Sequence, residues 1–93
     1  MRSYELIFIV HPDLDEAAFI EVVEKVKSWV SDEGGQVDKI DLWGKRRLAY
    51  PIRKQREGQY VLMETNMPST AGVHLERNLN LLEPILRFSL VAN

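Results

Sequence analysis

The fold is decided first by residues 4–10, whose sequence is YELIFIV. β-Branched and aromatic side chains dominate this stretch, and such side chains favour a β-strand. Because successive side chains point to opposite sides of a strand, two apolar faces alternate along it: Leu6, Phe8 and Val10 on one, Ile7 and Ile9 on the other. A strand that is apolar on both faces is typical of the centre of a sheet.

A helix is predicted after this strand. Asp13 followed by Glu16 resembles a capping box, with Asp in place of the usual Ser or Thr. Apolar residues then recur at helical spacing: Leu14, Phe19, Val22, Val23, Val26, Trp29 and Val30. We expect Gly34 to end the helix, because glycine adopts the left-handed cap conformation at little cost.

Two long strands joined as a hairpin are predicted next, over 36–50 and 59–67, with 51–57 as the turn region. Gly44 lies inside the first of them and indicates a bulge or a close backbone approach. In the second, alternation places two sets of side chains on opposite faces: Val61, Met63, Thr65 and Met67 on one, and Tyr60, Leu62, Glu64 and Asn66 on the other.

The chain closes with a second helix and a last strand. Pro68 ends the preceding strand, and Ser69 is the predicted N-cap of a helix that runs to about Asn80. The apolar stripe predicted for this helix is Val73, Leu75, Leu79 and Leu82. Residues 85–91 form the predicted final strand.

The element order is therefore β-α-β-β-α-β, in one domain over residues 1–93. Right-handed crossovers place both helices on one face of a four-stranded antiparallel sheet, which is the ferredoxin-like α+β architecture. The predicted core is Leu6, Phe8, Val10, Val26, Trp29, Val30, Val61, Met63, Leu75, Leu79, Phe88 and Leu90.

Composition excludes several classes of protein. The 93 residues, 45% of them apolar, suffice for a single two-layer core and leave little room for a deep enzyme cleft. The absence of cysteine removes disulfides, thiolate metal sites and thiol catalysis. No apolar run is long enough to span a membrane and no targeting peptide is visible, so we expect a cytoplasmic protein.

The charge distribution is strongly asymmetric. Residues 45–56, here called the basic segment, hold six bases and no acid: Lys45, Arg46, Arg47, Arg53, Lys54 and Arg56. The rest of the chain carries a balance of −8, and the net charge is −2. The simplest account of such a run is a solvated hairpin kept soluble by its charges. The alternative is a surface for phosphates, since arginine presents donors in a fixed fork and stacks on flat groups.

Side-chain direction refines the phosphate-binding alternative. Alternation along an extended strand points Arg46 away from the face of Lys45 and Arg47. One side can then reach RNA while the other meets acids or a partner protein. Phosphate contacts of this kind follow a backbone without reading its sequence.

The sheet face without helices carries a contiguous apolar patch. Ile7, Ile9, Tyr60 and Leu62 come from adjacent central strands, and such a patch on a sheet usually has a partner. A loop of the chain, or a second copy in a homodimeric enzyme or small-molecule sensor, would also cover it. Base stacking is the weaker alternative, because Tyr60 is the single aromatic residue predicted there and the glycine-aromatic motif of RNA-recognition domains is missing.

Catalysis is not predicted. His11 precedes a proline and is expected in a turn, and His74 is expected on a helix surface, with no acid placed in the sequence to pair with either. No glycine-rich phosphate loop and no spaced set of metal ligands is present, so no cofactor and no metal is expected.

The sequence resembles the bacterial-type small-subunit ribosomal protein six family along its whole length. Several short motifs carry the resemblance: Met1-Arg2, Tyr4-Glu5, Pro12-Asp13-Leu14-Asp15, Gly44 to Ile52 (GKRRLAYPI), Gly58-Gln59-Tyr60 and Met67-Pro68. The run from Arg46 to Ile52 is the most specific of them.

The resemblance implies a ferredoxin-like fold that binds the central domain of small-subunit ribosomal RNA. It also implies a heterodimer with small-subunit ribosomal protein eighteen. Binding to a membrane or to a small-molecule substrate is not expected. By position, it assigns the RNA side to Arg2, Lys45, Arg46, Arg47, Tyr50, Lys54 and Arg87. It assigns the partner-protein side to Ile7, Ile9, Tyr60 and Leu62.

Overall fold

The computed structural model describes all residues from Met1 to Asn93. It contains four strands and two helices in the predicted order: β1 Arg2–Val10, α1 Glu16–Asp32, β2 Gln36–Ile52, β3 Gln55–Met67, α2 Ala71–Leu81 and β4 Ile85–Ala92. No helix combines the length and the apolar character needed to cross a membrane.

The four strands form one antiparallel sheet in the order β2-β3-β1-β4. The pair β1 and β3 is central, with Leu6 opposite Met63 and Phe8 opposite Val61. Both helices contribute to one buried cluster with this face of the sheet. The predicted ferredoxin-like fold and the central position of the first strand are therefore confirmed.

The core lies between the sheet and the helix layer and contains sixteen buried residues: Tyr4, Leu6, Phe8, Val10, Phe19, Val22, Val23, Val26, Val30, Val61, Met63, Met67, Ala71, Leu75, Leu79 and Ile85. Trp29, Phe88 and Leu90, which were predicted in the core, are partly buried and pack against its edge.

The apolar stripe of α2 differs from the prediction at Val73, whose side chain is 62% exposed. Ala71 and Leu75 share the buried face of the helix with Leu79. Val73 lies two residues from both Ala71 and Leu75, and residues at that spacing do not share a helix face. The short Ala71 takes the core position that the sequence pattern assigned to valine.

The N-cap residue of each helix lies one or two positions later in the chain than predicted. Asp15, rather than Asp13, caps α1, since its Oδ1 accepts the amide N–H of Ala18 at 2.8 Å. The Asp13 amide instead donates to Nδ1 of His11 within the turn. For α2, Thr70 rather than Ser69 occupies the N-cap, without a side-chain hydrogen bond.

The end of α1 is as predicted. Gly34 has φ +81, and the amides of Gly34 and Gly35 donate to the carbonyls of Ser31 and Val30, both at 3.0 Å. These are the two hydrogen bonds of a Schellman cap, which satisfies carbonyls that the helix itself leaves free.

Replacing Phe8 by alanine should lower the free energy of unfolding by about 3–5 kcal/mol, because it removes a fully buried ring from the middle of the core. Val73→Ala is the control and should change it by less than about 0.5 kcal/mol, as expected for an exposed helix position. Urea unfolding followed by circular dichroism measures both variants. Equal destabilisation of the two would contradict the arrangement of the core.

Candidate nucleic-acid and partner interface

The hairpin of β2 and β3 is longer and its turn tighter than predicted. β2 continues to Ile52 and β3 begins at Gln55, so that only Arg53 and Lys54 connect the two strands. Both connecting residues have positive φ, 48° and 66°, as in the type I′ turns that match the twist of a hairpin. The turn lies within the predicted region 51–57, but the sequence did not indicate its two-residue type, because neither position holds the Asn or Gly that such turns favour.

Gly44 forms the predicted bulge, with φ +77 and a register shift between Leu42 and Gly44. The shift leaves Trp43 without a partner residue on β3. Its ring stacks on Tyr60, with ring centroids 6.0 Å apart and planes inclined by 15°. The prediction that Tyr60 is the single aromatic residue of this surface is therefore wrong, because simple alternation does not follow a side chain through a bulge.

The open face, opposite the helices, brings the predicted apolar residues together. Ile7 lies opposite Leu62, and Ile9 lies opposite Tyr60. Ile7, Tyr60 and Leu62 are partly exposed, whereas Ile9 is only 7% exposed. We call Ile7, Trp43, Tyr60 and Leu62 the open-face patch; Ile9 lies on the same face but is buried.

Gly58 explains why Ile9 is buried. A Cβ atom on Gly58 would overlap Cγ2 of Ile9, so the isoleucine lies directly against the glycine backbone. This contact fixes the position at which β3 passes β1, next to the basic segment.

The bases of the basic segment are exposed and largely unpaired. Lys45, Arg46, Arg47, Lys54 and Arg56 form no hydrogen bond and no ion pair through their side chains. The ion pairs of the chain lie elsewhere, between Lys27 and Glu24, between Lys39 and both Asp41 and Glu64, and between His74 and Glu33. The acids of the chain therefore leave the charge of these five side chains free.

The alternation expected at residues 45–47 is present. Arg46 lines a shallow concavity on the open face together with Trp43 and Tyr60. Lys45 and Arg47 pair with Gln59 and Glu57 and so point to the other side of the ribbon. Arg46 thus joins the apolar patch to the basic segment.

The end of the hairpin, residues 48–54, folds back toward β4, and we call it the hairpin tip. Regular pairing stops between Arg47 and Ile52, and Leu48 is 8% exposed. Tyr50 accepts a hydrogen bond from Arg87, whose guanidinium also lies 5.5 Å from the centre of the Tyr50 ring. Arg53 donates from Nη2 to the carbonyl of Glu83 at 2.7 Å.

Arg2 lies apart from the other residues assigned to RNA. It pairs with Met67 at one end of β1, whereas the hairpin leaves the sheet beyond Val10 and Gln59 at the other end. Eight residues of extended strand separate the two ends by about 26 Å.

The two histidines have structural partners. His11 accepts the Asp13 amide in the turn after β1. His74 does have an acidic partner, contrary to the prediction, because its Nδ1 lies 2.7 Å from Oε1 of Glu33. No sequence pattern indicated this pair, whose members are 41 residues apart. The structure contains no group of three or more residues placed to hold a metal ion.

Comparison with known proteins identifies relatives along almost the whole chain. The family model described as "Ribosomal protein S6" matches residues 3–92. The "Small ribosomal subunit protein bS6" of Moorella thermoacetica is 44% identical over 88 residues, which cover 95% of this chain and 90% of the relative. The protein of the same name from Saccharopolyspora erythraea is 45% identical over 94% of this chain and 74% of its own length.

A solved structure agrees with the fold. The crystal structure of 30S ribosomal protein S6 from Thermotoga maritima matches with a TM-score of 0.94 at 29% identity, over 99% of this chain and 87% of that chain.

Gly58→Ala should lower the free energy of unfolding by about 1–3 kcal/mol, because its methyl group would overlap Ile9. In an Ile9→Ala background the same substitution should cost much less, since the overlapping atoms are gone. A double-mutant cycle of chemical unfolding measures the difference. An equal cost in both backgrounds would show that Ile9 does not lie against Gly58.

Proposed function

Because this chain belongs to the ribosomal protein S6 family, we propose that it binds the central domain of small-subunit ribosomal RNA through its basic segment. We also propose that it binds small-subunit ribosomal protein eighteen through its open-face patch. The observation that carries the proposal is the group of five exposed, unpaired bases beside an uncovered apolar sheet face.

The membership itself sets the general role. The chain is a non-enzymatic component of the small ribosomal subunit in the cytoplasm. A structural component needs binding surfaces rather than a catalytic centre. We propose the open face of the sheet and the basic hairpin as two such surfaces.

The RNA side is built around Lys45, Arg46, Arg47 and Lys54, with Arg56 as a fifth base on the same hairpin. Arginine matches phosphate geometry with two parallel donors, while lysine acts as a mobile point charge. Phosphate binding releases counterions, so the affinity supplied by these residues falls as salt rises. No carboxylate forms an ion pair with these side chains, so their donors remain available.

Three other assigned residues contribute differently. Tyr50 and Arg87 are bound to each other, and they border the RNA side rather than form its centre. Arg2 lies about 26 Å away along β1, so any phosphate it binds belongs to a different part of the RNA.

The partner side combines apolar area with two stacked rings. Ile7 and Leu62 form a directly opposed pair within it, and Trp43 stacked on Tyr60 extends it toward Arg46. Aromatic residues and arginine are enriched where protein interfaces hold most of their binding energy. Since Arg46 borders both sides, a partner on this patch also lies next to the bound RNA.

Arg46→Ala with Arg47→Ala should weaken binding to a central-domain RNA fragment in the presence of the partner. It should also reduce the slope of log affinity against log salt by about 0.7–0.9 for each phosphate that the variant no longer binds. Filter binding over a series of salt concentrations measures both quantities. Lys25→Ala with Arg77→Ala, which removes the same charge from the helix layer, is the control. Parental affinity for the hairpin variant at every salt concentration would refute the RNA side.

Leu62→Asp should weaken binding of ribosomal protein eighteen at least about 30-fold, because it would bury an unpaired charge within the apolar open-face patch, next to the acid Asp41. Leu81→Asp places the same charge at a 78% exposed position on α2 and should leave binding unchanged. Isothermal titration calorimetry with the purified partner measures both. Unchanged binding to the Leu62 variant would exclude this patch as the interface.

Variants of the open face also test the alternatives. If the open face stacks bases, Trp43→Ala and Tyr60→Ala should each cost about 1–3 kcal/mol in affinity for single-stranded RNA. If the patch joins two copies of this chain, sedimentation of the free protein should show a dimer, and Leu62→Asp should dissociate it. Either result, with no binding to the partner, would replace the proposed role of the patch.

A further inference from the structure

We propose that Arg53 and Arg87 are positioning residues, which fasten the hairpin tip to the protein body and so hold the exposed bases in place before RNA binds. The fastening concerns the free protein. Its effect on RNA affinity rests on the function proposed above.

The first attachment is at the turn. The Arg53 guanidinium reaches the connection between α2 and β4, where it donates to the Glu83 carbonyl. Its side chain lines surface clefts with His11, Leu14 and Pro84 on one side and with Phe88 on the other. A hydrogen bond from a charged donor is among the stronger kinds, and this one joins residues 30 positions apart.

The backbone of the turn supports this interpretation. Arg53 and Lys54 both have positive φ, a conformation that is costly for residues other than glycine, asparagine and aspartate. Such conformations persist where the surroundings hold them in place. The contact of Arg53 with Glu83 supplies such a restraint, which a glycine in the turn could not provide.

The second attachment is at Tyr50. Arg87 lies opposite Ile9 on β4, and β4 is separated from β2 by β3 and β1. With strands about 4.8 Å apart, Tyr50 must cross about 14 Å to reach Arg87. The break in pairing after Arg47 frees residues 48–51 to make this crossing, and Leu48 is buried as they do so.

Two attachments, at Tyr50 and at Arg53, fix the direction of the tip relative to the sheet. Lys45, Arg46 and Arg47 precede the tip, and Arg56 follows it. The spacing of these bases is therefore already fixed before RNA binds. Binding then removes less conformational entropy from the hairpin. Arg53 and Arg87 each donate a hydrogen bond within the chain, which assigns them to positioning the tip rather than to binding phosphate.

The test compares Arg53→Gln, Arg53→Lys and Arg87→Gln with Arg56→Gln as the matched control, because Arg56 is an exposed base of the same hairpin without a partner. Two quantities are measured. Hydrogen exchange by mass spectrometry reports the order of residues 45–57 in the free protein. RNA affinity over a salt series reports phosphate contacts.

Arg53→Gln and Arg87→Gln should raise exchange in residues 45–57 by about tenfold, while exchange in α1 and α2 stays parental, as for a local opening. Both should weaken RNA binding without changing the salt slope. Arg53→Lys should restore slow exchange in part, since an ammonium group can also donate to the Glu83 carbonyl. Arg56→Gln should behave in the opposite way, with parental exchange and a slope lower by about 0.7–0.9.

Parental exchange in Arg53→Gln and Arg87→Gln would overturn the proposal. So would a lowered salt slope in either, since that would make the arginine a phosphate contact. If the parent protein binds no central-domain RNA, the proposed function fails, yet the exchange measurements still decide whether the tip is fastened.

Discussion

The antiparallel pairing of β1 with β3 determines where every functional side chain lies. It places Phe8 opposite Val61 on the helix side and Ile7 opposite Leu62 on the open side. A slip by one residue would exchange the two faces, because side chains alternate along both strands. The burial of Leu6, Phe8 and Val10 beneath the helices opposes such a slip, and so does the contact between Ile9 and the backbone of Gly58. The packing of the core therefore also determines which side chains lie on the open face.

This register also directs the hairpin. Gly58 follows the basic segment closely and lies against Ile9, so β3 leaves the sheet at a defined point. On β2 the bulge at Gly44 turns Trp43 onto Tyr60, and the break after Arg47 sends the tip toward β4. Each of these two irregularities of β2 thus serves the interface, whereas β3 keeps regular pairing with β1 from Gln59 to Met67.

The parts of this arrangement that depend on local pattern could be predicted from the sequence. Alternation identified the two faces of β1 and the opposite directions of Arg46 and Arg47, and Gly44 indicated its bulge. The parts that depend on distant contacts could not. Trp43 needed the register after the bulge, the His74–Glu33 pair joins residues far apart in the chain, and Arg53 meets Glu83 across the end of the sheet. The turn was predicted within residues 51–57, but its two-residue length was not, because Arg53 and Lys54 adopt a conformation that their residue types disfavour.

The net charge of −2 is a poor guide to how this protein interacts with a polyanion such as RNA. Charges separated by more than a Debye length, about 8 Å at physiological salt, interact weakly when exposed. Asp41 lies on β2 five residues before Arg46, about 16 Å along the strand, and it is already paired with Lys39. Glu57 is opposite Arg47 but forms no ion pair with it. Since five exposed bases face this one neighbouring acid of the hairpin, RNA near the basic segment meets a cationic surface. The distribution of charge along the chain therefore matters more here than the net charge.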